Sequence, residues 1–72
     1  MDIKEKIGTR IKFLRNELKI SQEELGFRSA VDRTYITDVE NGRRNISVEV
    51  LERVMNGLNT TFKDFFNTQE FK

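Results

Sequence analysis

Neither a disulfide nor a metal staple on the usual ligands is open to this chain, because its 72 residues include neither Cys nor His. A chain of that length buries only about 60% of the surface it exposes when unfolded, and so small a core commonly leans on a disulfide, a metal or oligomerisation. With the usual ligands missing, helix packing or self-association must supply the stability. Aliphatic and aromatic residues make up 36% of the chain and charged residues 35%, which fits a folded domain better than a disordered tail. One domain spanning residues 1–72 is expected. The same absences remove Cys and His chemistry and leave only scattered carboxylates, Lys, Ser and Tyr35. The chain therefore reads as non-enzymatic, with no catalytic residues, no metal and no cofactor.

No uncharged run approaches the roughly 18 residues needed to span a bilayer. Asp2 and Glu5 interrupt any signal-peptide core at the N-terminus, so a cytoplasmic protein without membrane contact is expected. Net charge is +1, which by itself does not point to nucleic acid. Residues 1–20 carry six Lys or Arg against three acids, residues 21–45 four against five, and residues 46–72 three against four. Any basic surface must be a local patch.

Ile3, Ile7, Ile11, Leu14 and Leu18 recur at helical spacing and predict a first helix of about 16 residues. Asp2 and Glu5 form a capping box in front of it. Phe13 lies off that stripe, either leaning on Phe62 or another C-terminal ring or standing partly exposed. Ser21 and Glu24 make a second capping box, opening a helix that should end near Ser29. Asp32 can cap a third helix, Arg33 to Glu40, closed by Asn41 and Gly42. Ser47 caps a fourth bearing Val50, Leu51, Val54, Met55 and Leu58. Thr61 and Asp64 form a further capping box before a short helix with Phe62, Phe65 and Phe66. No window alternates like a strand for long, so the fold class is all-α with five helices.

Residues 22–41 have the spacing of a helix-turn-helix. Leu25, Gly26, Val31, Ile36 and Val39 are placed to hold the second helix of the pair on the first. The outward positions Arg33, Thr34, Thr37 and Asp38 are short or planar hydrogen-bonding groups, unlike the Lys and Glu of an ordinary solvated face. Asp38 would repel phosphate unless it accepts from a cytosine N4 or pairs with an Arg, and the Arg pairing is favoured. Simpler roles stand beside these: Arg33 neutralising Asp32, Tyr35 packing on the preceding helix, and Arg43 and Arg44 meeting the dipole of a helix C-terminus.

Ser21-Gln22-Glu23-Glu24-Leu25, followed by Tyr35-Ile36-Thr37-Asp38-Val39-Glu40-Asn41-Gly42-Arg43-Arg44, resembles the Xre/Cro-type family that includes the lambdoid phage repressors. Asp32-Arg33-Thr34-Tyr35-Ile36, Arg44-Asn45-Ile46-Ser47 and the Phe65-Phe66 ending resemble most closely the controller proteins of restriction-modification systems. The resemblance covers about residues 7–66. It implies a five-helix, lambda-repressor-like domain that binds a pseudo-palindromic double-stranded DNA operator as a homodimer. Arg33, Thr34 and Thr37 match the base-facing positions, and Arg33 suits two bonds to guanine. Tyr35 matches a neighbouring supporting contact. Gln22, at a helix N-terminus, suits a phosphate, and Arg43, Arg44 and Asn45 match a backbone-positioning loop. Arg15 and Glu40 match a partly buried ion pair joining the first and third helices. Lys19 and Ala30 depart from the family pattern where Gly or Asn is common, and Ser29 replaces an apolar turn residue.

Met55, Leu58, Phe62, Phe65, Phe66 and Phe71 exceed what so small a core should need. The first five are expected to form a two-fold interface; the alternative is that all six are core, with Phe71 frayed. The function implied is a transcriptional regulator of the controller type, acting on its own gene and the endonuclease gene. The resemblance implies activation at one operator site, with RNA polymerase as a further partner, and repression when a second fills. No small-molecule ligand is expected. A phage-type repressor or antitoxin is the alternative within DNA binding, and a protein-interaction module without DNA contact is the alternative outside it.

Overall fold

The computed structural model describes residues 1–72 and contains helices α1 (Ile3–Glu17), α2 (Gln22–Ser29), α3 (Arg33–Glu40), α4 (Val48–Gly57) and α5 (Phe62–Phe66), then a 3-10 turn at Gln69–Phe71. Each α-helix begins where a short polar side chain can take the place of the missing helical acceptor. Asp2, Ser21, Asp32, Ser47 and Thr61 all accept a backbone N–H from the first turn. Only the Asp2–Glu5 box closes in both directions, with Glu5 Oε1 accepting from the Asp2 N–H at 3.0 Å. The two other expected boxes are half formed. Glu24 turns instead to Arg28, one helical turn on, at 3.0 Å, and Asp64 has a side chain one methylene shorter than the Glu of a full box.

α2 lies at the centre of the architecture, packing on α3 and α4, while α1 packs on α3 and α5 on α4. One cluster of nine side chains forms the core: Ile11, Leu25, Ile36, Val39, Leu51, Val54, Met55, Leu58 and Phe65. The α1 stripe contributes chiefly through its middle, since Ile3 is 58% exposed and Leu18 stands at the exposed C-cap. Phe71 is not frayed. Its ring packs edge-on against Phe66 with centroids 4.9 Å apart.

The expected two-fold surface requires correction on this point. Met55, Leu58 and Phe65 are already covered within a single chain, so they have no area left to offer a second copy. Phe62, at 45% exposure, and the half-buried Phe66 are what remains of that set at the surface. The misjudgement was one of volume: five helices of this length enclose more apolar bulk than the chain length suggested. Phe13 is 53% exposed and takes the second of its two expected roles, with the Arg10 guanidinium 5.7 Å from its ring centre.

Lys19 and Ala30, which stand where the family pattern favours Gly or Asn, adopt a left-handed backbone, with φ of 59° and 57°. Asn59, with φ of 57°, does the same after α4. Each non-Gly residue held there costs about 1 kcal/mol, with Asn tolerating it best. Ser29 is buried, and its hydroxyl has no hydrogen-bond partner.

Gly8 sets how closely α1 approaches α3. A Cβ at this position would collide with the Val39 carbonyl oxygen and lie 3.0 Å from that of Glu40. Both obstacles are backbone, so only separation of the helices relieves them. In a free helix Gly→Ala stabilises by up to about 1 kcal/mol. Here we expect Gly8→Ala to destabilise by about 1–3 kcal/mol, the usual cost of overpacking. Thermal unfolding followed by circular dichroism checks the sign, and a variant that melts above the parent would refute the close approach.

Candidate nucleic-acid interface

α2 and α3 are joined by Ala30, Val31 and Asp32. The joint is tight because Gly26 has no side chain: a Cβ there would sit 2.7 Å from the Val31 carbonyl oxygen and 3.2 Å from the Arg33 nitrogen. The Val31 N–H donates to the Gly26 carbonyl at 2.9 Å, closing the left-handed end of α2. Asp32 then restarts the chain as a helix, accepting from the Thr34 N–H at 2.8 Å. That backbone bond, helped by the Thr34 hydroxyl, holds the Asp32 carboxyl below its ordinary pKa. The cap is thus anionic at neutral pH and sits at the positive end of α3.

From this start α3 projects Arg33 and Thr34 into solvent, with Thr37 one turn further along and partly covered. Arg33 makes no ion pair, so Asp32 does not neutralise it by contact. Asp38 takes the Arg partner expected for it, with Arg43 Nη1 3.6 Å from Oδ1. Tyr35 is half-buried against the core, and the Arg44 guanidinium lies over its ring, 4.7 Å from the centroid. Stacking of this kind orients the planar cation while leaving its edge donors free. Asn45 is exposed in the same loop, which Gly42 turns with φ of +72°.

Behind this face runs a hydrogen-bonded chain. Arg15 of α1 grips the Glu40 carboxylate with Nε at 2.7 Å and Nη2 at 3.0 Å, and its Nη1 donates to the Ile20 carbonyl. The side chains of Arg15 and Glu40 are 11% and 2% exposed. Donation to Glu40 raises the Arg15 pKa above its ordinary value, against the opposing effect of burial. Gln22 Nε2 donates to Glu40 at 3.0 Å, and Gln22 Oε1 accepts from the Thr37 hydroxyl at 2.8 Å. The phosphate role expected of Gln22 rests on its place at the N-terminus of α2, which its side chain does not share. Its amide is instead built into the frame, with one of its two N–H hydrogens left over.

Sequence reasoning missed how much of the basic charge is committed internally. Arg10 donates to the Phe65 and Asp64 carbonyls at 2.8 and 2.9 Å, tying α1 to the end of α5. Arg53 reaches the Ser29 carbonyl at 3.0 Å, and Arg28 reaches that of Gly57 at 3.2 Å, cross-linking the ends of α2 and α4. No spacing rule marks an Arg as a carbonyl anchor.

The helix-turn-helix family model matches residues 11–65. The control protein C.MunI of Mycoplasma sp is 40% identical over 70 residues, covering 96% of this chain and 95% of that protein. Among solved structures, the wild-type restriction-modification controller protein C.Esp1396I superposes with a TM-score of 0.87 at 36% identity, covering 92% of this chain and 86% of that one. C.AhdI, the controller protein from Aeromonas hydrophila, gives 0.84 at 35% identity, covering 88% and 96%. C.Esp1396I has also been solved as a tetramer with its natural 35 base-pair operator. The exposed third helix, its capped tight turn and these matches agree, and the chain belongs to the helix-turn-helix family of DNA-binding regulators, in the branch that includes the restriction-modification controller proteins.

Proposed function

We propose that the protein is a homodimeric, sequence-specific transcriptional regulator of the controller type, which binds a pseudo-palindromic operator and acts on its own gene and an endonuclease gene. The observation that carries this reading is the outward face of α3, where Arg33 has no internal partner at the start of a rigidly capped helix. Arg33, Thr34 and Thr37 read base edges in the major groove, while Arg44 on Tyr35, Arg43, Asn45 and the remaining Gln22 N–H position the phosphates. The operator-bound tetramer of C.Esp1396I supports cooperative filling of adjacent sites. A cytoplasmic location and a contact with RNA polymerase on activation belong to the same reading. Footprinting the protein on DNA around its own gene tests it. Protection of two spaced half-sites is expected, and uniform protection without sequence preference would overturn it.

Arg33→Ala should cost about 1–3 kcal/mol on the operator and relax preference at one position per half-site. Equal losses on operator and random DNA would assign Arg33 to phosphate instead. Arg43→Ala and Arg44→Ala should each weaken all sequences alike and lower the slope of log K against log salt by about one unit. Arg44 loses its orienting ring in Tyr35→Ala, so that variant should reproduce Arg44→Ala; titrations at several salt concentrations make the comparison.

A further inference from the structure

The Thr37 hydroxyl has one proton, and the fold decides where that proton points. Glu40 is accepting from Arg15 and can only accept again, so the Gln22 group facing it must be Nε2; the flipped amide would set oxygen against carboxylate. Gln22 Oε1 therefore faces Thr37 and takes its proton at 2.8 Å. The second acceptor within reach is also internal, the Arg33 carbonyl at 3.1 Å. Both destinations draw the proton into the protein. With its proton so placed, the Thr37 oxygen can only accept from a group outside the protein.

We infer that Thr37 is a one-way reader that accepts, and does not donate, a hydrogen bond at the base edge; this rests on the proposed insertion of α3 in the major groove. The donors available there are the amino groups of adenine N6 and cytosine N4, whereas guanine O6 and thymine O4 are acceptors. Every base pair has one amino and one keto edge. Thr37 therefore sets the orientation of a pair, placing A or C on a given strand and G or T opposite. This complements Arg33, which can only donate.

Selecting sites from randomised duplexes with the wild-type protein, Thr37→Val and Thr37→Ser tests the inference. At one position per half-site the wild-type protein and Thr37→Ser should prefer A or C on one strand. Thr37→Val, which keeps the shape and loses the oxygen, should lose that preference. Deleting the amino group at that position, with purine in place of adenine or pyrimidin-2-one in place of cytosine, should weaken wild-type binding roughly three- to tenfold, as expected for one hydrogen bond. Thr37→Val should lose less than twofold. An unchanged selection profile in Thr37→Val, or equal losses from amino deletion in both proteins, overturns the inference while leaving the DNA-reader assignment standing. The analogue measurements on wild-type protein need no variant to fold: no loss on amino deletion at any half-site position also overturns it. A wild-type protein that selects no sequence overturns the DNA-reader assignment itself, and the inference with it.

Discussion

Glu40→Ala is expected to remove about a third or more of the protein's stability. Glu40 lies at the meeting point of three helices, with its carboxylate accepting two bonds from Arg15 and one from Gln22. Removing it leaves the Arg15 guanidinium almost out of solvent with only the Ile20 carbonyl as partner. Breaking one side of a buried pair costs about 3–5 kcal/mol, most of it from the stranded charge. A 72-residue chain has a total stability of only about 4–10 kcal/mol at the usual yield per residue. The melting temperature should therefore fall by about 15 °C or more. The double replacement Arg15→Met with Glu40→Leu strands no charge and should recover most of the loss. Urea titrations of the three proteins decide the matter: a Glu40→Ala cost below about 1 kcal/mol, or a double variant as weak as the single one, would show that the pair does not hold the helices.

That ion pair was legible in the sequence only through family resemblance, because Arg15 and Glu40 stand 25 positions apart and no periodicity connects them. The helices themselves were legible for local reasons. Asp2, Ser21, Asp32, Ser47 and Thr61 act on N–H groups two or three residues away, and helical spacing marks Ile11, Leu25, Val54 and Leu58 as inward-facing. The outward face of α3 was legible for the same reason, since a helix start fixes which way Arg33 and Thr34 point. Gly8 was passed over because a small residue in a helix looks like a weakness until the opposing backbone is seen. The partners of Gln22 lie on other elements, so its role in the frame behind Thr37 could not be read from spacing. The surface near the C-terminus was misjudged because whether Phe65 or Phe62 is covered depends on a turn geometry that three closely spaced Phe residues do not encode.

Phe62→Glu should separate operator affinity from folding. One α3 contacts only a few base pairs, whereas a two-fold dimer presents two such helices about 34 Å apart, one DNA turn. Binding of the second half-site then becomes nearly intramolecular, a gain of about 10²–10⁴ in affinity where the geometry permits both contacts. The ring of Phe62 is the most exposed of the C-terminal aromatics, and Phe66 beside it is half covered and stacked edge-on to Phe65 and Phe71. Aromatic surface of this kind supplies contact area at low conformational cost. A carboxylate at position 62 of a two-fold contact is desolvated in both copies, while in the lone chain it stays in water. Phe62→Glu should therefore sediment as a monomer, keep its helical circular dichroism and bind the full operator about 10²–10⁴-fold more weakly, with affinity for a single half-site unchanged. Phe66→Glu should act in the same direction with some loss of stability. Phe65→Glu supplies the contrast: its ring is fully buried in the core, so helicity itself should collapse. A Phe62→Glu protein that remains dimeric would move the interface elsewhere, and a monomer that holds full operator as tightly as the parent would end the argument for dimeric reading.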